Sequence, residues 1–335
     1  MSQPRVDTVR LQKMVRAYRE SGALMAAVEL GLFSKLAQGA DTEASLIEAL
    51  GIQPVNAERI VIACIGLGLV ERDGERLKNA PDVARFLVEG EPGYAGAWML
   101  FTKPDWNEWG RLSEHLRNPA SPVVENKTVA GISLEEARRY HRATYSIGMG
   151  AGRRFVRQVD LSGRQKMMDL GGGSGAYCIQ ACQKWSQLRA VVCDLPAVAA
   201  VARDFIAENG MHHKVSAIEC DFVNDPLPTD ADVAVMASNL PMYGREVIAA
   251  VVKKAHDALL PGGEFHLIGE ALNAERDGPA DAALWGLAQT LNNTTGLAHS
   301  VSECEQYLRA AGFTQVASSD FVPGVLIRTS GRKAG

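Results

Sequence analysis

The chain predicts an open α/β sheet with helices on both faces, carried behind a mostly helical N-terminal domain. Three observations predict it. Up to about residue 120 the apolar residues recur at helical spacing. From Lys166 onward, short apolar runs end at acidic or polar residues and alternate with helical stretches, the pattern of a doubly wound, mostly parallel sheet. The first of these runs passes into its helix through a five-residue turn with four glycines, Gly171-Gly172-Gly173-Ser174-Gly175.

The elements follow in order. Leu11, Met14, Val15 and Tyr18, then Leu24, Val28, Leu32, Phe33 and Leu36, mark amphipathic helices. Thr42 to Gly51 reads as a short helix with a capping residue in front and a glycine behind. Asn56 opens an apolar helix through Leu67, and Leu69 to Lys78 reads as a hairpin turning at Asp73-Gly74. Helix, turn, helix, hairpin is the winged-helix order, which by itself suggests DNA binding. Helix 56–67 is mostly apolar, however, whereas a recognition helix presents arginines, lysines or amides. A packing or dimerisation role is the reading adopted, with no nucleic-acid partner. A turn-rich loop is expected over 118–128, then a long helix from Leu134 to Val159. Strands are expected at Lys166–Leu170, Arg189–Asp194, Val215–Asp221, Asp232–Ala237 and Glu264–Gly269, with a closing hairpin of Phe313–Val322 and Gly324–Ser330. The domains so drawn are 1–120, a connecting segment 121–160, and 161–335.

The 335 residues carry a formal charge of −4, with 47 % hydrophobic and 22 % charged residues, which suits a well-packed core and gives no basic face for a polyanion. No apolar run reaches the ~20 residues of a membrane span, and the polar, periodic N-terminus is unlike a secretory signal. A soluble, cytoplasmic protein is expected. The six cysteines form no C-x-x-C pair, so buried thiols are expected and no metal site.

Ligands of such sheets lie beyond the carboxyl ends of the strands, at the switch point. Gly171 and Gly173 let a ligand approach the backbone closely, and the following helix offers its N-terminal amides. No Gly-Lys-Ser/Thr follows, which excludes the Walker pattern, while a dinucleotide fingerprint stays open. Asp194 closes the second strand, where a carboxylate accepts both hydroxyls of a ribose. Asp221-Phe222 closes the third, with a carboxylate for an adenine amine and a ring for its face. Asp169, ahead of the glycines, suits an ammonium group. Three carboxylates would repel a diphosphate and favour a cationic ligand, so S-adenosylmethionine fits better than NAD.

With these residues in view, the chain resembles the small-molecule O-methyltransferases typified by the caffeate enzymes, which join a winged-helix dimerisation domain to a Rossmann-like class I methyltransferase domain. The resemblance covers nearly the whole chain. It is carried by Asp169–Gly175, Asp194-Leu195-Pro196, Asp221-Phe222, Leu260-Pro261-Gly262-Gly263 and Ala311-Gly312-Phe313. It implies a homodimer, a small-molecule acceptor, and cofactor contacts at Gly171, Gly173, Asp194, Leu195, Asp221, Phe222 and Asn239.

Departures from the family pattern bear on the chemistry. The family deprotonates its acceptor with a His in a His-Asp-Trp segment after the fourth strand, flanked by two glutamates. Here that stretch reads Ala237-Ser238-Asn239-Leu240-Pro241-Met242-Tyr243, so Pro241 or a close neighbour replaces the base. Glu270 matches the first glutamate, whereas the second falls in Gly296-Leu297-Ala298-His299-Ser300 and is missing. A base contributes ~10²–10⁴-fold, and alignment alone about 7–11 kcal/mol, so an acceptor without a proton is the expectation. The segment Met236–Pro241 resembles the methylthiohydroxybutyrate S-methyltransferases of dimethylsulfoniopropionate synthesis, which implies transfer to the sulfur of 4-methylthio-2-hydroxybutyrate. The alternative is O-methylation of a phenol or hydroxyl, with a relocated base at His141 or His299. Tyr145, His141 and Glu270 are the catalytic candidates. Tyr140, His141, Arg142, Tyr145 and Met149 on the long helix are expected to line the acceptor pocket, with His141, Thr144, Tyr145 and Met149 on one face. Trp98, Trp106, Trp109, Trp285, Asn292 and Asn293 are further candidates.

Overall fold

A computed structural model describes residues 6–118, 132–292 and 294–335. The chain divides into two compact units, Met1–Pro104 and Asp105–Gly335. In the first, helices Val9–Arg16, Tyr18–Glu29, Leu32–Ala37, Glu43–Leu50 and Pro54–Gly66 precede a hairpin of β1 (Val70–Asp73) and β2 (Arg76–Asn79). Local chemistry sets the boundaries. Thr42 and Ser45 form a reciprocal cap, Gly51 ends that helix at φ 66°, and Pro54 stands in the first turn of the next. Ala27, Leu32, Phe33, Leu46, Val61 and Cys64 close the core of this unit. Helix Val9–Arg16 buries no residue.

The second unit holds β3 (Lys166–Leu170), β4 (Arg189–Asp194), β5 (Val215–Glu219), β6 (Val233–Ala237), β7 (Glu264–Gly269), β8 (Ala271–Leu272), β9 (His299–Ser300), β10 (Thr314–Val322) and β11 (Leu326–Arg332). Seven strands form one sheet in the order β10-β11-β7-β6-β3-β4-β5. The five from β7 to β5 run parallel, and the terminal hairpin adds antiparallel at the β7 edge. Chain order reverses at β3, which has β4 on one side and β6 on the other, so the crevice for a ligand opens at the carboxyl end of β3. The strand expected over 215–221 stops at Glu219. The Cys220 amide still bonds the Asp194 carbonyl, but Asp221 turns to accept from the Val223 amide.

The long helix runs from Leu134 to Gln158 behind a Ser133–Glu136 capping box. Residues 119–131, most of the expected turn-rich loop, lie outside the described residues. The helix splits the expected single face into two seams. His141, Gly148 and Gly152 meet the glycine turn and the helix Ala176–Lys184, and an added Cβ at Gly152 would fall 2.8 Å from the Ala176 carbonyl. Arg138, Arg142 and Tyr145 meet the helix Pro196–Glu208. Among the described residues no helix is long and apolar enough to cross a membrane, and no cluster of three or more His, Cys, Asp or Glu is placed to hold a metal. All six cysteines are free and buried.

Candidate active site

The turn after β3 is shaped by glycine. Gly171, Gly173 and Gly175 have φ of 66°, 56° and 76°, the left-handed region that other residues enter at a cost. A Cβ at Gly171 would fall 2.6 Å from the Asn239 amide nitrogen and 2.9 Å from the Phe222 ring. At Gly173 it would fall 2.9 Å from the His141 imidazole. Gly175 then caps the helix Ala176–Lys184 without any side-chain bond, leaving that helix's first amides facing the turn.

Asp194 ends β4 and is 8 % exposed. One of its oxygens accepts from the Gly173 amide and the other from the Leu195 amide, each at 2.8 Å. Burial lifts its pKa to about 6 against the pull of those two donors. Asp221 accepts from the Val223 amide at 2.9 Å and from the Asn224 side chain at 2.7 Å, which fixes the turn that presents Phe222. Phe222 meets the ring of Tyr243 edge to face, with centroids 5.6 Å apart. Burial, then the charges of Asp221 and Asp194, push the Tyr243 hydroxyl well up in pKa, so this tyrosine belongs with the carboxylates. Sequence reasoning missed it. The available signal was its place just after the strand-end turn of β6, at the same end of the sheet as Asp194 and Asp221.

Asn239 spends its side-chain N–H groups on the carbonyls of Leu170, Gly171 and Ala237, at 3.3, 3.3 and 3.1 Å. It therefore staples the glycine turn to the end of β6. Asp169 lies sealed beneath the turn, 1 % exposed, and accepts from the Cys178 thiol. Burial first, then the charge of Asp194, lift it to about 7, so it is only partly ionised at neutral pH and offers a weak counter-charge to an ammonium. The Tyr177 hydroxyl is buried without a hydrogen-bond partner, and its pKa is raised by burial and by the charges of Asp169 and Glu270.

Tyr140 and His141 cover the turn from the long helix, their rings 4.9 Å apart and edge to face. Tyr140 keeps 44 % of its surface exposed, and its phenol is raised by desolvation first, then by the charges of Asp194 and Glu270. His141 is desolvated to a pKa of about 4 and is therefore neutral at physiological pH. Glu270, just past β7, is raised by burial. The segment expected to carry a base is a buried 3₁₀ turn, Leu240–Met242. Gly296 packs on it so closely that a Cβ there would fall 2.4 Å from the Pro241 carbonyl. His299 has both ring nitrogens occupied, one by the Tyr307 hydroxyl and one by the Tyr243 carbonyl, each at 2.9 Å.

Several of the remaining candidates have partners of their own. Arg142 pairs with Glu208 and lies over the Phe205 ring, 4.5 Å from its centroid, because the seam it occupies faces the helix Pro196–Glu208. Tyr145 stacks on Phe205 at 4.3 Å, and its hydroxyl accepts from Asn209 at 2.6 Å. Met149 packs on the core beside Gln180. Trp106 and Trp285 are each 37 % exposed, on the helices Trp106–Gly110 and Ala280–Ala288. Trp109 shares the helix of Trp106, and Asn292 is exposed beyond that of Trp285. Trp98 stacks on Phe101 within the N-terminal unit. Asn293 lies outside the described residues.

Known proteins share this domain order and fold. Residues 127–314 match the O-methyltransferase domain model, and residues 12–90 match the O-methyltransferase dimerisation domain. The chain is 33 % identical to a 3-hydroxy-5-methyl-1-naphthoate 3-O-methyltransferase of Streptomyces sahachiroi, over 93 % of this chain and 91 % of that protein. It is 30 % identical to the tetracenomycin polyketide synthesis 8-O-methyl transferase of Streptomyces glaucescens, over 92 % and 91 %. The fold matches human N-acetylserotonin methyltransferase, solved in complex with SAM, with a TM-score of 0.85 at 23 % identity over the whole of both chains. The glycine turn, the Asp194 carboxylate and the Phe222–Tyr243 pair are a fitting cradle for S-adenosylmethionine, and the chain belongs to the O-methyltransferase family as an S-adenosylmethionine-dependent methyltransferase with an N-terminal dimerisation domain.

Proposed function

We propose that this enzyme methylates a small acceptor at an atom that no strong protein base has to deprotonate, most simply a ring hydroxyl acidic enough to ionise in the pocket. One observation carries the reading: the residue at the family's base position and the two histidines weighed as replacements are each ill-suited to take the proton. Pro241 is buried in a turn, both nitrogens of His299 are engaged, and His141 holds a proton only below about pH 4. Alignment must then supply the rate, and a well-held near-attack pair contributes about 7–11 kcal/mol. The two relatives named for O-methylation of a naphthoate and of a tetracenomycin intermediate support an aromatic hydroxyl.

S-adenosylmethionine supplies a methyl group on a cationic sulfur, which an acceptor heteroatom takes by in-line displacement. The residues that would hold it are Asp194 at the ribose hydroxyls, Phe222 with Tyr243 at the base, and the amides around Gly171 and Gly173. Asn239 and Asp221 act one step back, by fixing the turns. Tyr140, His141 and Glu270 are the side chains proposed to meet the acceptor, the tyrosine donating or accepting a hydrogen bond and the glutamate, raised in pKa by burial, offering a carboxyl group. The dimerisation domain supports a homodimer.

The same observation favours a second reading, transfer to a thioether such as 4-methylthio-2-hydroxybutyrate, whose sulfur has no proton to lose. A panel of substituted phenols, naphthols and thioethers, assayed for single-turnover rate against pH, separates the two. For a ring hydroxyl the rate climbs with the ionisation of each acceptor and shifts with its substituents; for a thioether it is flat. A common inflection at one pH for every hydroxyl acceptor would mean a protein base and end the proposal.

A further inference from the structure

His299 opens β9 and is fully buried, 0 % exposed. Its Nε2 lies 2.9 Å from the Tyr243 carbonyl oxygen, and its Nδ1 lies 2.9 Å from the Tyr307 hydroxyl. A carbonyl can only accept, so Nε2 carries the hydrogen and donates it. The neutral ring then leaves Nδ1 as an acceptor for the Tyr307 O–H. One tautomer and one ring orientation satisfy both neighbours, and neither nitrogen is left for an acceptor substrate.

Each end of this bridge leads somewhere. Tyr307 sits on the helix Val301–Ala311, whose start is anchored by Glu303. That carboxylate caps the helix through the Ser300 amide and pairs with Arg245 at 2.6 Å and with Arg276. Arg245 opens the helix two residues after Tyr243. The helix Val301–Ala311 is thus tied to the chain at Tyr243 and just after it, by Tyr307 through His299 to the Tyr243 carbonyl and by Glu303 to Arg245. At the other end, the Tyr243 ring meets Phe222 at 5.6 Å, beside the Asp194 and Asp221 carboxylates.

We infer that His299 is a positioning residue for the cofactor pocket: its imidazole, clamped between the Tyr307 hydroxyl and the Tyr243 carbonyl, holds the Tyr243 ring against Phe222 at the wall that receives the nucleoside. The segment Gly296–Ser300, where the family pattern has a glutamate supporting its base, here supports the cofactor side of the site. The inference rests on the pocket around Asp194 and Phe222 and is independent of the acceptor.

The test is calorimetric titration of the full-length protein with S-adenosylhomocysteine. His299→Phe keeps a planar ring, slightly larger, and removes both hydrogen bonds, and loss of a buried partner predicts ~10-fold weaker binding. His299→Gln keeps a donor and an acceptor on one planar group and returns affinity to within ~3-fold of the parent. Tyr307→Phe removes only the outer hydroxyl and gives a smaller loss in the same direction. With S-adenosylmethionine saturating, the acceptor KM stays unchanged in all three. A folded His299→Phe that binds like the parent overturns the inference, as does a glutamine variant no better than the phenylalanine. If His299→Phe does not fold, Tyr307→Phe decides: weaker binding supports the clamp, and a lower Tm with unchanged affinity overturns it. Asp194→Asn is the control, because unchanged binding there would refute the pocket itself rather than the role of His299.

Discussion

The Gly173 amide donates to the Asp194 carboxylate at 2.8 Å, so the end of β4 dictates the shape of the turn that follows β3. The other carboxylate oxygen is bound by the Leu195 amide at 2.8 Å. Each oxygen retains a further lone pair, so the side chain that builds the turn can also accept from the ribose hydroxyls proposed for it. Asp194→Asn replaces one acceptor by an N–H that faces a backbone N–H. Losing a charge-assisted bond and leaving a buried donor unmet costs about 2–3 kcal/mol. S-adenosylhomocysteine affinity is expected to fall ~30–150-fold, and a change under threefold would show that Asp194 has no part in binding.

The carboxylates also set a pH dependence with a definite sign. Asp194 is lifted to about 6 and Asp169 to about 7, each chiefly by burial. Both lie above the ~3.9 of an unfolded aspartate. Their contribution to stability is therefore complete below pH ~4 and is lost as the pH rises through 6 and 7. The ligand-free protein should lose Tm between pH 5 and 8 on their account. Asp169→Asn, which cannot ionise, should flatten that slope and melt on the order of 5 °C above the parent at pH 8. Thermal melts at pH 5, 6.5 and 8 check this, and parallel curves for the two proteins would contradict it.

The contact between Gly173 and His141 predicts a coupling. A Cβ at Gly173 meets the His141 ring at 2.9 Å and also sits at φ 56°. Gly173→Ala therefore carries a backbone cost of ~1–2 kcal/mol and a clash. His141→Ala relieves the clash alone. The double variant should recover cofactor affinity relative to Gly173→Ala, with a coupling of about 0.5–3 kcal/mol. Strict additivity in titrations of the four proteins would mean that the ring simply swings aside.

What the sequence made legible, and what it hid, follows from the range of the interactions. Asp194, Asp221 and the glycines can be read because strand ends and tight turns are local features with their own residue chemistry. Tyr243 is hidden because the turn before it, Leu240–Met242, carries no signature of a ligand wall. The long helix shows the limit of periodicity. His141 and Tyr145 are only about 40° apart around the axis, which spacing alone reads as one face. The structure sends one to the glycine turn and the other to Phe205, and Arg142 closes on Glu208 beside it. Which of two neighbouring helices each residue meets is settled by packing across the sheet, and the helix's own spacing does not encode it. The departure from His-Asp-Trp at Pro241 is legible in the sequence, while the occupied state of His299 depends on Tyr243 and Tyr307, which only the fold brings to its two nitrogens.

The N-terminal helix supplies the last prediction. Val9, Leu11, Met14 and Val15 are 54, 52, 63 and 75 % exposed, and the helix Val9–Arg16 buries nothing. So many apolar side chains on one short exposed helix mark an interaction surface, and the dimerisation domain begins within it, at residue 12. A second copy of this chain is the expected partner. Leu11→Asp with Val15→Asp should halve the mass seen by light scattering, to the 36.0 kDa of one chain. The circular dichroism should change little, since neither residue packs into the core. If the double variant keeps the parent's dimeric mass, the two copies must meet through another face of the N-terminal unit.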